Sequence, residues 1–172
     1  MKTQNPIIVY GFEDPRAMLL ACHDKVRHFA RLAQRLGVHV TENGADTEAS
    51  HAAAGILRYF DLAAPLHHDD EEQDLFPALR GLSNATLDSA INHLEAEHEE
   101  LAALWTSIRP WLEATKCNEL LAVPPTLAEF SRRYVLHAGC EEAEVYGAIA
   151  DLPDEVVAAI GRSMCARRGL GG

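Results

Sequence analysis

The chain lacks a surplus of basic residues: it has 15 Lys and Arg against 26 Asp and Glu, and a formal net charge of −11 at pH 7. Such an acidic protein repels the phosphates of nucleic acids and of anionic membrane surfaces, so neither is an expected partner. No apolar run approaches the length of a membrane span either. Cations, small neutral molecules and basic proteins remain as partner classes, and the composition decides neither a protein partner nor a homodimer.

Paired thiols are also missing. The cysteines, at positions 22, 117, 140 and 165, show no CxxC spacing. This argues against a disulfide framework and a thiolate zinc site, and it favours a reducing cytoplasm. Residues 1–10 do not resemble a signal peptide, because their apolar stretch is too short. We therefore expect a cytoplasmic protein.

The sequence does contain a continuous helical pattern. Apolar residues recur at three- and four-residue spacing in four long segments, most clearly from Leu87 to Leu112, and no strand pattern interrupts them. The length of 172 residues is that of one domain. We predict an all-α fold: an antiparallel up-down-up-down four-helix bundle over about residues 14–152 and a short terminal helix over about 154–168, in a single domain spanning 1–172.

Local signals suggest where two of the helices begin, end or bend. Asp14 followed by Pro15 is a favourable N-cap and first-turn pair. Gly37 is a natural helix stop, so residues 38–46 are expected to form a turn-rich loop. Pro65 lies inside the second helix and is expected to bend its axis.

One short motif occurs twice, beginning at His67 and at His137. In each copy a His precedes a Glu by four residues, a second Glu follows directly, and an aliphatic–aromatic pair comes a turn later. Positions i and i+4 lie on the same face of a helix. Each copy can therefore offer one imidazole and one carboxylate, from Glu71 or Glu141, to a single point.

The predicted inner faces of the four helices together present four imidazoles and two carboxylates. Without metal these polar groups would stand unpartnered in an apolar seam. Neutral imidazoles and ionised carboxylates are ligands for iron, manganese or zinc, and two glutamates can bridge two ions. We therefore predict a site for a pair of divalent metal ions. Its predicted ligands are His23, His67, Glu71, His98, His137 and Glu141.

Other residues near this site are expected to have secondary roles. His68 and Glu72 also stand four residues apart, but their stripe would bring Asp61 into the core. We expect both at the edge of the inner face, either hydrogen-bonded to the ligands or facing solvent. Trp105 and Tyr134 lie on the ligand stripes, where core packing is the simpler interpretation and the wall of a ligand pocket is the alternative.

The motifs resemble those of the hemerythrin-like family, the HHE cation-binding domains, from about Phe12 to Arg168. The most specific parts are His67-x3-Glu71-Glu72-x2-Leu75-Phe76-Pro77, Glu97-His98-Glu99 and His137-x3-Glu141, with Cys22-His23-Asp24 weaker. In this family such positions hold two iron ions, oxo- or hydroxo-bridged, inside a four-helix bundle. The resemblance implies that the four histidines are terminal ligands and that Glu71 and Glu141 are bridges. Zinc or manganese remain alternatives.

The ligand set differs from that of the oxygen-carrying hemerythrins. These use a fifth His one turn from another on the third helix, where this chain has Leu94 and Ala102 on either side of His98. The set is more similar to that of the iron-centre repair proteins, for whose additional N-terminal domain 172 residues leave no room. One ligand fewer leaves an open coordination position, which suits reaction or iron exchange.

Three functions are compatible with this resemblance. The first is a cytoplasmic di-iron protein that binds O2, NO or peroxide in sensing, scavenging or iron handling under oxidative or nitrosative stress. The second is a redox enzyme that turns over peroxide or NO, or repairs iron centres. The third is a non-redox zinc or manganese module whose metal holds the bundle together. The sequence leaves open whether the protein is an enzyme.

Overall fold

The computed structural model describes residues 14–170, and within them every regular element is helical. The long helices are α1 (Pro15–Asn43), α2 (residues 47–80), α3 (Ala85–Lys116) and α4 (Leu127–Glu144). A 3-10 helix, Tyr146–Asp151, connects α4 to the terminal helix α5 (Asp154–Arg167). No helix in this range has the length and apolar character needed to traverse a bilayer. The segment 1–10, for which no signal peptide is expected, lies outside the described residues.

The four long helices pack around a common interior. α1 packs against α2 and α4, and α3 packs against the same two helices. Ser50 in the first turn of α2 donates a hydrogen bond to the carbonyl of Lys116 at the end of α3, and Arg80 at the end of α2 pairs with Glu95 on α3. α2 and α3 therefore run in opposite directions. The predicted all-α bundle is confirmed.

The first helix is longer than the sequence predicts. Asp14 caps it, accepting a hydrogen bond from the backbone of Ala17, but the helix passes through Gly37 and ends at Asn43. Gly44, with a φ of 84°, terminates it instead. Gly37 has a packing role, because a Cβ atom there would lie 2.5 Å from Cδ2 of Leu127 on α4. The predicted loop over residues 38–46 is therefore wrong for all but its last residues.

The second helix is continuous but not uniform. It consists of the α-helical segments Thr47–Arg58, Ala64–Asp70 and Phe76–Arg80, separated by the π-helical turns Tyr59–Ala63 and Glu71–Leu75. In the first π turn the N–H of Ala64 reaches the carbonyl of Tyr59, directly before Pro65. A π turn inserts one residue into the helix and changes which side chains face inward; such turns are frequent at functional sites.

Two separate apolar clusters fill the bundle. One contains Val26 of α1 and Leu101 of α3, and the other contains Leu19 of α1 and Leu94 of α3. On each long helix the predicted ligands fall between the residues of these two clusters. The fold thus places a polar layer across the middle of an otherwise apolar interior.

Candidate metal centre

All six predicted ligands are buried in this polar layer. Each of them has at most 4% of its surface exposed. α1 and α3 contribute one imidazole each, and α2 and α4 contribute one imidazole and one carboxylate each. The structure thus brings together the complete predicted set: His23, His67, Glu71, His98, His137 and Glu141.

The four imidazoles form two pairs, one on each side of Glu141. The ring centroids of His23 and His67 are 4.9 Å apart, and those of His98 and His137 are 4.7 Å apart. Oε2 of Glu141 lies 2.9 Å from Nε2 of His23, and Oε1 lies 3.0 Å from Nε2 of His137. The two oxygens of this carboxylate therefore face different imidazole pairs.

Glu71 reaches both imidazole pairs in a different way. Its Oε2 lies 3.8 Å from Nε2 of His67 and 3.7 Å from Nε2 of His98. Its Oε1 accepts a hydrogen bond of 2.5 Å from the hydroxyl of Tyr146. Only one oxygen of Glu71 therefore remains free to face the pairs.

Several inward-facing atoms have no hydrogen-bond partner among residues 14–170. They include both carboxylate oxygens of Glu141, Oε2 of Glu71, and Nε2 of His98 and His137. The short contacts of Glu141 with the imidazoles thus lack hydrogen-bond geometry, although the atoms are close. Buried polar atoms without partners are costly. Cations between them would remove this cost, and imidazole and carboxylate donors suit iron, manganese or zinc. The residues present therefore fit a metal centre.

Carboxylates hold the outward-facing ring nitrogen of three of the four imidazoles. The contacts to Nδ1 are His23–Glu142 at 2.8 Å, His98–Glu72 at 2.6 Å and His137–Glu97 at 2.9 Å. Each carboxylate can accept a hydrogen bond from Nδ1–H, which leaves Nε2 as the nitrogen available to a metal ion. The hydrogen bond of Glu72 with His98 is one of the two alternatives expected for Glu72 from the sequence. The corresponding contacts of Glu97 and Glu142 were not predicted. Glu142 could have been found, because it repeats Glu72 as the second glutamate of the motif.

The two buried carboxylates have opposite electrostatic environments. Burial, together with the neighbouring charge of Glu141, raises the pKa of Glu71 well above its usual range. Burial also acts to raise the pKa of Glu141, but the close approach of His137 and the other imidazoles outweighs it and holds that pKa well below its usual range. Burial lowers the pKa of His67 to about 3. His67 is therefore neutral at pH 7 and able to ligate a metal.

Tyr146 belongs to the site, although it was not predicted. It is fully buried, and its hydroxyl lies 3.0 Å from Nε2 of His23 as well as 2.5 Å from Oε1 of Glu71. Its ring stacks on His23 with centroids 5.0 Å apart. The repeat contained a signal for it: Phe76 holds the corresponding position in the first copy, and the second copy replaces that phenyl ring with a phenol.

His68 lies beside the centre and stacks on one of the predicted ligands. Its ring centroid is 3.9 Å from that of His98, and the ring planes are 12° apart. One nitrogen of His68 comes within 4.8 Å of nitrogens of His98 and His137, which is close enough for a shared ion. The lone pair of an imidazole lies in the ring plane, however, so two parallel rings do not point at the same ion. This arrangement favours a role for His68 as a packing partner of His98 and not as a ligand of the same ion.

The two aromatic residues considered as pocket wall lie next to His68. Trp105 and Tyr134 line a cavity of about 320 Å³ together with His68 and His98. Trp105 also donates a hydrogen bond of 3.1 Å to Asp61, which is partly buried at the bundle surface. Tyr134 belongs to the apolar cluster that includes Val26. Both residues therefore pack in the bundle and border the cavity.

Comparison with known proteins identifies the family. The model of the Hemerythrin HHE cation binding domain matches residues 14–149. The chain is also 34% identical, over 158 residues, to a Haemophilus influenzae protein described only as "Uncharacterized protein", and the match covers 91% of each chain. The chain therefore belongs to the hemerythrin HHE cation-binding domain family, which confirms the resemblance inferred from the motifs. Its cation-binding character follows from this membership and from the buried cluster of histidines and glutamates.

Proposed function

We propose that this protein holds two iron ions and binds O2, NO or peroxide, in sensing, scavenging or iron handling under oxidative or nitrosative stress in the cytoplasm. The observation that carries the proposal is the position of Glu141 between two imidazole pairs, with one oxygen directed at each pair. A single-ion site would need only one of these pairs.

Each residue has a defined part in this proposal. His23 and His67 would hold one ion, His98 and His137 the other, and Glu141 would bridge them. Glu71 would add its Oε2 between the two ions, because that oxygen is free and nearly equidistant from an imidazole of each pair. When bound, the ions would supply Lewis acidity and one-electron redox chemistry.

The surroundings of the site also support the choice of a small ligand. The cavity beside His98 has space for a diatomic molecule or peroxide. The net charge of −11 disfavours a nucleic-acid partner. The cysteines that the structure describes, Cys22, Cys117, Cys140 and Cys165, form no disulfide, which suits the reducing cytoplasm.

A second candidate is a redox enzyme that turns over peroxide or NO, or repairs iron centres, at the same site. The observation that favours it is the same cavity, because turnover requires that substrate reach the ions and product leave. Consumption of peroxide or NO by the iron-loaded protein at a rate above that of free iron would support it. Stoichiometric binding without consumption would support the first candidate.

Elemental analysis and an optical spectrum of freshly purified protein test the proposal. We expect two iron ions per chain and near-ultraviolet absorption that disappears on reduction and returns in air. A colourless protein with stoichiometric zinc or with manganese would contradict the proposal and would favour a metal that mainly stabilises the bundle.

A further inference from the structure

The two imidazole pairs have unlike surroundings, although they share Glu141. Tyr146 lies against His23 of the first pair, whereas a cavity is lined by His98 of the second pair. This difference bears on which ion an external ligand can reach.

Tyr146 closes the His23 side of the centre. Its hydroxyl oxygen occupies the space 3.0 Å from Nε2 of His23, and it donates its one proton to Oε1 of Glu71 in a hydrogen bond. The residue is fully buried and belongs to an apolar cluster that includes Leu19 of α1 and Met164 of α5. An external ligand that approached Nε2 of His23 from the position of this hydroxyl would therefore have to displace the phenol.

The terminal helix α5 secures this closed side. The guanidinium groups of Arg167 and Arg168 both pair with Asp70, a fully buried carboxylate on α2, and Nη2 of Arg168 lies 2.5 Å from Oδ2 of Asp70. Arg167 also pairs with Asp74 at 2.7 Å. These charge-assisted contacts hold α5 over the end of the bundle that contains Tyr146.

The His98 side, in contrast, is reached from the surface. The cavity there lies between α2, α3 and α4, and one of its lining residues is His98, whose Nε2 lies 3.4 Å from Oε1 of Glu141. Phe60, Trp105 and Tyr134 contribute aromatic rings to its wall, and His68, which also lines it, stacks on the His98 ring.

The charges at this cavity favour uncharged ligands. Asp69, Glu72 and Glu99 contribute to its lining, and carboxylates repel anions that approach from solvent. An aromatic wall accepts small apolar or weakly polar molecules without the cost of leaving a charge unpaired. NO, O2 and hydrogen peroxide fit this description better than azide or nitrite.

We propose that external ligands enter through this cavity and bind on the His98–His137 side only, while Tyr146 excludes them from the His23–His67 side. This assignment rests on the proposed function and adds to it the ligand class and the ion that it reaches. Only the ion at His98 and His137 would therefore receive an external ligand, although each of the two ions would be held by two imidazoles.

A substitution at the mouth of the cavity tests the entry route. Ala102 lines the cavity and is exposed on α3, whereas the next residue, Ala103, is also exposed but does not line it. The association rate of NO with the iron(II)-loaded protein should fall about tenfold or more in Ala102→Trp and stay unchanged in Ala103→Trp. Iron content and helical circular dichroism serve as controls, and Ala102→Leu is the milder variant if Trp disturbs the fold.

The stoichiometry of NO binding tests the role of Tyr146. The wild-type protein should bind one NO per two irons, and Tyr146→Phe, which keeps the ring but removes the hydroxyl, should approach two. Equal NO association rates in wild type, Ala102→Trp and Ala102→Leu would overturn the entry route. Two NO per wild-type chain would overturn the exclusion by Tyr146. An iron-loaded wild type that binds no NO, O2 or peroxide would instead refute the proposed function, and this inference with it.

Discussion

Oε1 of Glu72 lies 2.6 Å from Nδ1 of His98, on the neighbouring helix. The second copy of the motif repeats this relationship, because Glu142 holds Nδ1 of His23 at 2.8 Å. The two adjacent glutamates of each motif therefore have different tasks. The first faces the centre of the bundle, and the second orients an imidazole on the next helix. The doubled motif thus ties all four helices to the same polar layer.

Removal of the orienting carboxylate should weaken metal binding without removing a ligand. In Glu142→Gln the oxygen that accepts the hydrogen bond from Nδ1–H belongs to a neutral amide. The His23 imidazole therefore becomes less basic and is held less firmly in its orientation. We expect the affinity for iron or zinc to fall about 10- to 100-fold. Competition with a chelator of known affinity measures this change.

Glu144→Gln provides the matched control, because Glu144 lies on the same helix but is exposed. It should leave the affinity unchanged. Equal affinities for the Glu142 and Glu144 variants would show that the contact with His23 does not support metal binding.

Glu141 should be required for both ions, because each of its oxygens faces a different imidazole pair. Glu141→Gln keeps the side-chain volume but lowers the donor charge, so we expect loss of at least one of the two ions. Metal that binds only the folded state at about 100 times its dissociation constant adds about 2.7 kcal/mol to the free energy of unfolding. That increment should be reduced or absent in the variant.

The measurement compares thermal unfolding with and without added metal, in parallel with elemental analysis. Two ions per chain and an undiminished metal-induced stabilisation in Glu141→Gln would count against a bridging role. Glu144→Gln again serves as the control and should behave like the wild type.

Four of the six side chains that meet in the polar layer were accessible from the sequence because they obey a local rule. His67 with Glu71, and His137 with Glu141, stand one helical turn apart, and that spacing survives any error in the helix ends. The capping pair Asp14-Pro15 likewise acts within one turn. Such features depend on neighbouring residues alone, so the sequence pattern is sufficient to predict them.

The features that were missed depend on contacts between distant segments. Glycine commonly ends a helix, but Gly37 lies inside α1, where its lack of a side chain allows Leu127 of α4 to approach closely. The π turns of α2 lie on either side of the segment Ala64–Asp70, which carries His67, and no pattern in the sequence predicted them. Tyr146 reaches Glu71 from a 3-10 helix after α4, a placement that helical periodicity does not describe.

The raised pKa of Glu71 predicts that this residue lowers the folding stability of the metal-free protein in a pH-dependent way. The folded state holds the Glu71 proton to higher pH than the unfolded state does, because burial and the charge of Glu141 disfavour ionisation. Between the unfolded pKa, near 4.5, and the raised folded pKa, the folded state binds more protons, so this group lowers stability as pH rises.

Glu71→Gln removes this contribution. The free energy of unfolding of metal-free Glu71→Gln, relative to metal-free wild type, should therefore increase from about pH 4.5 to about pH 7, by at most about 1.4 kcal/mol per pH unit. Urea unfolding at several pH values in the presence of chelator measures it. Glu99→Gln, at an exposed position, should follow the wild type. A difference between Glu71→Gln and wild type that is constant over this range would contradict the pKa assignment.

The close approach at Gly37 can be tested with a second helical glycine. Glycine to alanine within a helix normally stabilises a protein by about 0.5–1 kcal/mol. A Cβ atom added at Gly139 on α4 would have no neighbouring atom within 4 Å, so Gly139→Ala should show this gain. In Gly37→Ala the new methyl group would lie 2.5 Å from Cδ2 of Leu127, so the leucine must move and the gain should be cancelled or reversed. Equal stabilisation of both variants in urea unfolding would mean that α4 accommodates the methyl group freely and that Gly37 is not needed for the contact.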